Sequence, residues 1–254
     1  MEFLNMGWLP DLPDFRDYVF SGLTAPAALP AAVDLRKQDA PIYDQGKLGS
    51  CTGNAIASMF QFVNKKTNNV HFVPSRLFIY YNERKKMGTT NRDSGAYLRD
   101  GMKSIAKKGV CKETPTWPYD ITKFKQKPPQ AAYNEALNYQ AIRYQRLGSN
   151  ITTMKQCLAD GYPFVFGFTT YESFRSSDVT KTGIVPMPKP SEKTRGGHAV
   201  MAIGYDDDAK MLIVRNSWGT GWGDKGYFYM PYDFVGNTNF SDDFWTLRRV
   251  ETHD

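Results

Sequence analysis

The apolar positions of this chain change rhythm near its middle. Ala55, Ile56, Met59, Phe60 and Val63 recur at the spacing of an amphipathic helix with one buried face. A glycine-rich run, Gln45-Gly46-Lys47-Leu48-Gly49-Ser50-Cys51-Thr52-Gly53-Asn54, feeds straight into that helix and puts Cys51 in or just before its first turn. Pro74-Ser75 opens a second predicted helix carrying Leu77, Phe78, Tyr80 and Tyr81. Tyr97, Leu98, Met102 and Ile105 mark a third, stopped by Gly109. Residues 112–129 are proline-rich and irregular, and 131–138 read as a short helix. Beyond this point the pattern predicts strands at 139–147, 164–168, 198–205, 211–216, 226–230 and 244–250, with glycine-rich turns between them. One helix, capped by Ser149-Asn150 and ended by Gly161, interrupts them. Helices first and antiparallel strands later predict an α+β protein in two lobes. The expected division is a leader over 1–28, a mainly helical lobe over 29–138 and a mainly β lobe over 139–254.

The leader has a different texture. Pro10, Pro13, Pro26 and Pro30 push the residues before them toward extended geometry. Trp8, Phe15, Tyr18 and Phe20 are too apolar to float free, so an extended strap lying on the body is expected. Two placements stay open: a short inhibitory segment in the cleft between the lobes, or a permanent brace across the back of one lobe. Residues 1–10 lack the basic and apolar regions of a secretory signal, which leaves a cytoplasmic location as the default.

Composition narrows the classes. A chain of 254 residues with 41% hydrophobic content can bury a sizeable core. No apolar run approaches the roughly eighteen residues of a membrane span. The net charge of +6 is scattered in pairs such as Lys65-Lys66, Lys85-Lys86 and Lys107-Lys108, the mark of solvated surface rather than of a nucleic-acid interface. Cys111 and Cys157 read as core thiols, and His71 and His253 have no chemical partners in the pattern. No Cys/His cluster has metal-ligand spacing, so neither metal nor cofactor is expected. A monomer is expected.

The candidate chemistry lies in two blocks. Gly196-Gly197-His198-Ala199-Val200 reads as a buried strand opening on a histidine, and Met211 to Arg215 leads into Asn216-Ser217-Trp218-Gly219. His198 and Asn216 would then sit on neighbouring strands of one hairpin. A helix N-terminus stabilises a thiolate, the reactive form of cysteine. Acyl transfer by a thiol needs a base within reach and donors aimed at the developing oxyanion. His198 can be that base, Asn216 can orient its ring, and the side-chain amide of Gln45 can join the Cys51 backbone N–H as oxyanion donor.

These blocks resemble the papain family of cysteine peptidases over residues 29–250, in the order cysteine, histidine, asparagine. Leu29-Pro30 through Asp34-Leu35-Arg36 resembles the start of the mature enzymes, and Asn216-Ser217-Trp218-Gly219 with Gly221-Trp222-Gly223 resembles the asparagine block nearly residue for residue. The resemblance implies a two-lobe fold with a helical lobe, an antiparallel barrel-like β lobe and the active-site cleft between them. It implies Cys51 as nucleophile, His198 as base then acid, Asn216 as orienter and Gln45 as oxyanion donor. Trp218 would shield the histidine–asparagine bond and Trp222 would wall the leaving-group side. Gly95 and Ala96 would pair with substrate backbone. Gly167, Gly197 and Ala199 would line a roomy specificity pocket, with Asp242 or Asp243 reaching its floor and admitting a basic residue. The chain departs from the family at Leu48, where a disulfide cysteine is usual, and at Thr52, where tryptophan is usual. Only the short leader, and no large helical propeptide, is expected ahead of the core. With no histidine pair to form an occluding loop, endopeptidase activity on peptide or protein substrates is the reading. The rivals are a catalytically silent binding relative and a thiol isopeptidase or acyltransferase.

Overall fold

The computed structural model describes residues 6–20 and 28–253. The remainder of the leader, including Ala25-Pro26, lies outside the described residues. In chain order the elements are β1 (Trp8–Leu9), β2 (Ala32–Asp34), α1 (Cys51–Asn68), α2 (Arg76–Met87), β3 (Ala96–Tyr97), α3 (Leu98–Lys107), α4 (Gln130–Ala136), β4 (Tyr139–Arg146), α5 (Ile151–Ala159), β5 (Phe164–Tyr171), α6 (Ser177–Thr182), β6 (Thr194–Asp206), β7 (Met211–Arg215), β8 (Tyr227–Pro231), α7 (Tyr232–Val235) and β9 (Ser241–Thr252).

Helix α1 begins at Cys51 and is buried on every side through Phe60. The sequence pattern predicts one buried face. The helix is buried all round because it packs against α2 and α3 as well as against β6 and β9. Small residues make the second contact possible: a Cβ on Gly53 would come within 2.9 Å of the Arg76 carbonyl oxygen. Two of its buried polar side chains donate back along the helix, Asn54 Nδ2 to the Ser50 carbonyl and Ser58 Oγ to the Asn54 carbonyl, while Thr52 Oγ donates across to Glu83 on α2. Ser75 caps α2 by accepting from the Phe78 N–H, and Asn150 caps α5 in the same way at Thr153.

Seven of the nine strands among the described residues form one sheet in the order β4-β9-β5-β6-β7-β8, with β2 paired to β6. The path does not close on itself, so the barrel-like lobe is an open antiparallel sheet. Strand β2 precedes the nucleophile helix in sequence yet lies on this sheet, Val33 opposite Tyr205. Just after it, Arg215 at the end of β7 donates to the Asp39 carboxylate at 2.7 Å and to the carbonyls of Ala40 and Pro41. This anchor fixes the segment that carries Gln45 against the strand that leads into Asn216. Strand β9 starts at Ser241, three residues before the predicted strand, and the short helices α6 and α7 carry no clear sequence period.

The leader's described part does two things. Strand β1 pairs in parallel with β3, Trp8 opposite Ala96 and Leu9 opposite Tyr97. Farther on, Val19 bridges to Arg146 on the edge strand β4, and Arg248 stacks its guanidinium over the Phe20 ring. All three cysteines are free and buried. His71 and His253 are exposed, beside Asn69 and Glu251. Among the described residues no helix is long and apolar enough to cross a membrane, and no cluster of ligand side chains forms a metal site.

Candidate active site

Cys51 is the first residue of α1, and Ser50 supplies no side-chain cap to that helix; its hydroxyl is engaged by Tyr119 and Asn54 instead. The backbone N–H groups of Ala199, Gly7 and Thr52 lie on the thiol and favour its anion. His198 stands on β6, one residue before Ala199, so the strand that carries the imidazole also touches the sulfur. His198 Nε2 meets Asn216 Oδ1 at 2.9 Å, and the other ring nitrogen, Nδ1, is buried with no hydrogen-bond partner. Trp218 stacks on the imidazole at 4.8 Å between centroids and 28° between planes. Trp222 meets Trp218 edge-on at 5.1 Å and is itself buried against Phe174 and Phe228.

Gln45 is fixed at three points. Its N–H donates to the Ser217 carbonyl, its Oε1 accepts from Ser217 Oγ at 2.6 Å, and its Nε2 donates to the Leu48 carbonyl at 2.9 Å. Ser217 therefore ties the glutamine to the asparagine, whose Oδ1 also accepts the Ser217 N–H. Sequence reasoning gave Ser217 no role, because a hydroxyl inside a strand-end motif leaves no periodic signal.

Residues 6–9 run across the front of this group and touch both halves of the protein. A Cβ on Gly7 would lie 1.7 Å from the Gly49 carbonyl oxygen, and one on Gly95 would lie 2.3 Å from the Gly7 carbonyl oxygen. That same Gly7 carbonyl accepts the Ala96 N–H at 2.7 Å. The Trp8 indole rests on Gly167 and Gly197, where added Cβ atoms would fall 1.9 and 2.4 Å from atoms of Trp8. Its Nε1 donates to Asp243 Oδ2 at 3.1 Å. Gly95, Ala96, Gly167 and Gly197 thus surround the leader, while Ala199 is buried beneath it on Cys51.

Burial sets the electrostatics. It pushes the Cys51 thiol up to about 12 against the pull of the three backbone N–H groups. It lowers His198 to about 4, against the hydrogen bond to Asn216. With the leader in place burial disfavours the charged form of both groups, opposing the thiolate that the helix terminus alone predicts. Desolvation outweighs the dipole because water is excluded from both groups.

Comparisons with known proteins show the family. The model of the papain family of cysteine proteases matches residues 29–243. The chain belongs to the papain family of cysteine proteases. An uncharacterized peptidase C1-like protein of Acanthamoeba polyphaga mimivirus is 45% identical over 272 residues, covering 97% of this chain and 87% of the viral one. Papain from Carica papaya is 24% identical over 215 residues, and the match spans 54% of the papain sequence and 78% of this chain. Among solved structures, xylellain, a cysteine protease from Xylella fastidiosa, superposes with a TM-score of 0.89 at 41% identity, covering 99% of this chain and 97% of xylellain. Bromelain from Ananas comosus, in complex with the E64 inhibitor, shares the fold at a TM-score of 0.65 and 21% identity, over 89% of this chain and all of that one. The protein is a papain-like cysteine peptidase.

Proposed function

We propose that this papain-family chain is an endopeptidase that cleaves peptide bonds through Cys51, His198, Asn216 and Gln45, and that its leader blocks the site at rest. The observation that carries the first half is the imidazole held by Asn216 and Trp218, with Nδ1 left unpaired beside the strand that touches the thiol. Once water enters, His198 takes the Cys51 proton. The thiolate attacks the scissile carbonyl, forming a C–S bond and an oxyanion held by the Cys51 N–H and Gln45 Nε2. The C–N bond breaks as the imidazolium gives its proton to the leaving amine. Water then attacks the thioester with His198 as base, the C–S bond breaks and the thiolate returns.

Two features support the second half. Gly7 takes the space in front of the thiol, and Trp8 fills the pocket of small residues while hydrogen-bonding Asp243. The test compares the full chain with a chain starting at Leu29 on a quenched peptide substrate. The shorter chain turns over faster, and Cys51→Ala abolishes turnover in both. Cleavage that survives Cys51→Ala ends the catalytic reading; equal rates from both lengths end the blocking one. Transfer of the acyl group to an added amine in preference to water would favour an acyltransferase.

A further inference from the structure

Where the leader passes beyond Trp8 it brings one carboxyl against another. Asp11 of the leader is 8% exposed and Asp243 of β9 is fully buried. Asp243 Oδ2 accepts both the Trp8 indole N–H and the Asp11 backbone N–H, the latter at 2.7 Å, while Oδ1 takes Arg146 Nη2 at 3.0 Å. The Asp11 carboxyl accepts the Trp245 indole N–H and the Arg99 backbone N–H, each at 3.2 Å. Cationic cover is thin: Arg146 is shared with Asp17 and Asp242, and the Arg99 guanidinium is turned to Asp17 and the Leu12 carbonyl.

We propose that Asp11 and Asp243 form a proton-binding latch, which holds the leader over Cys51 while the pair carries a proton and releases it as the pair ionises, so that access to the thiol increases with rising pH. The inference rests on the leader being the block. Its sign follows from the two states. Closed, burial and mutual repulsion raise the affinity of the pair for protons. Open, Asp11 returns to water and its ordinary value near 4. The closed form therefore binds more protons than the open one. Opening gains up to about tenfold per pH unit for each proton released, from about pH 4 upward until the closed pair has ionised.

The groups around the pair leave this sign in place. Asp14 is held well below the usual range by Arg16 and stays ionised throughout. Glu83, which faces Asp11 from α2, keeps its proton up to about 8 through burial. Arg99, from α3, is raised further above its already high ordinary value and stays charged at all these pH values, and Arg146, from β4, sits on Asp243 Oδ1 in the closed form. His198 receives the proton that Cys51 gives up on opening, so that dyad exchanges none with solvent.

The experiment measures the rate of Cys51 alkylation by iodoacetamide from pH 5 to 8 in the full chain, divided at each pH by the rate in full-length Trp8→Ala. The ratio cancels the thiol's own titration and reads the open fraction. It should rise at least about tenfold between pH 5 and 7.5 in the unaltered protein. In Asp11→Asn, whose amide mimics the protonated acid and still accepts hydrogen bonds, it should change less than about threefold and stay low at pH 7.5. Asp243→Asn should flatten it in the same direction. A ratio that is flat or falls with pH in the unaltered protein overturns the latch. So does an Asp11→Asn protein that is more open at every pH, the result of a plain structural contact. If Trp8→Ala alkylates no faster than the unaltered chain at any pH, the block itself is refuted and the latch with it.

Discussion

Behind the nucleophile, Thr52 and Glu83 illustrate what one substitution in a family pattern requires elsewhere. Thr52 Oγ donates to Glu83 Oε2 at 2.7 Å, Glu83 is fully buried, and its Oε1 has no hydrogen-bond partner. Gly101 on α3 leaves the room: a Cβ there would stand 2.4 Å from Oε1. Burial pushes the carboxyl up to about 8, above its unfolded value of 4.5. The folded protein therefore keeps a proton that the unfolded chain loses. The resulting stability is complete below about pH 4.5 and drains away as pH rises to about 8, with a ceiling of a few kcal/mol. Glu83→Gln should match the parent at pH 5 and unfold at a higher denaturant concentration at pH 8.5; equal midpoints at both pH values would refute this. Thr52 was legible as a departure from the family. Glu83 was not, since it stands beside Lys85-Lys86, a pair that reads as solvated surface. Its burial comes from a third helix distant in sequence, which no local pattern reports.

At the scale of elements, the helix caps were the most legible feature, because a cap is a local bond between residues three apart. Ser75 illustrates it: its hydroxyl accepts the Phe78 N–H and also donates to the Trp117 carbonyl at 2.7 Å. Ser75→Ala should cost about 1 to 2 kcal/mol, read as a lower urea midpoint at unchanged slope. A change in slope would instead point to a looser denatured or native state. Strand positions were legible from their apolar runs, but partners were not. That β2 joins the sheet, and that β3 takes a leader strand alongside it, depends on residues separated by about 90 to 170 positions. The four catalytic candidates were read from motif and spacing. The burial that raises the thiol was not, because it depends on what lies over the sulfur rather than on what surrounds it in sequence.

For the molecule as a whole, the leader is built on both sides of the active site. It is clamped at its far end by Arg99–Asp17 and by the backbone bridge of Val19 to Arg146, and at its near end it threads between Gly49, Gly95 and Gly196. Pro10 and Pro13 announced an extended segment, yet which surface it lies on is a property of shape complementarity that a linear reading cannot reach. The narrowest point of that thread is a residue with no side chain. One methyl group at position 7 would collide with the Gly49 carbonyl, and rigid backbone offers nothing there to yield. Full-length Gly7→Ala should therefore hydrolyse a fluorogenic peptide as fast as a protein stripped of its first 28 residues, and a rate no higher than the parent's would mean the thread can shift sideways. If the leader blocks the site as proposed, resting silence is tuned by a hydrogen atom: whatever sequence drift the strap tolerates elsewhere, this position is where a dormant protease would become a constitutive one in a single step.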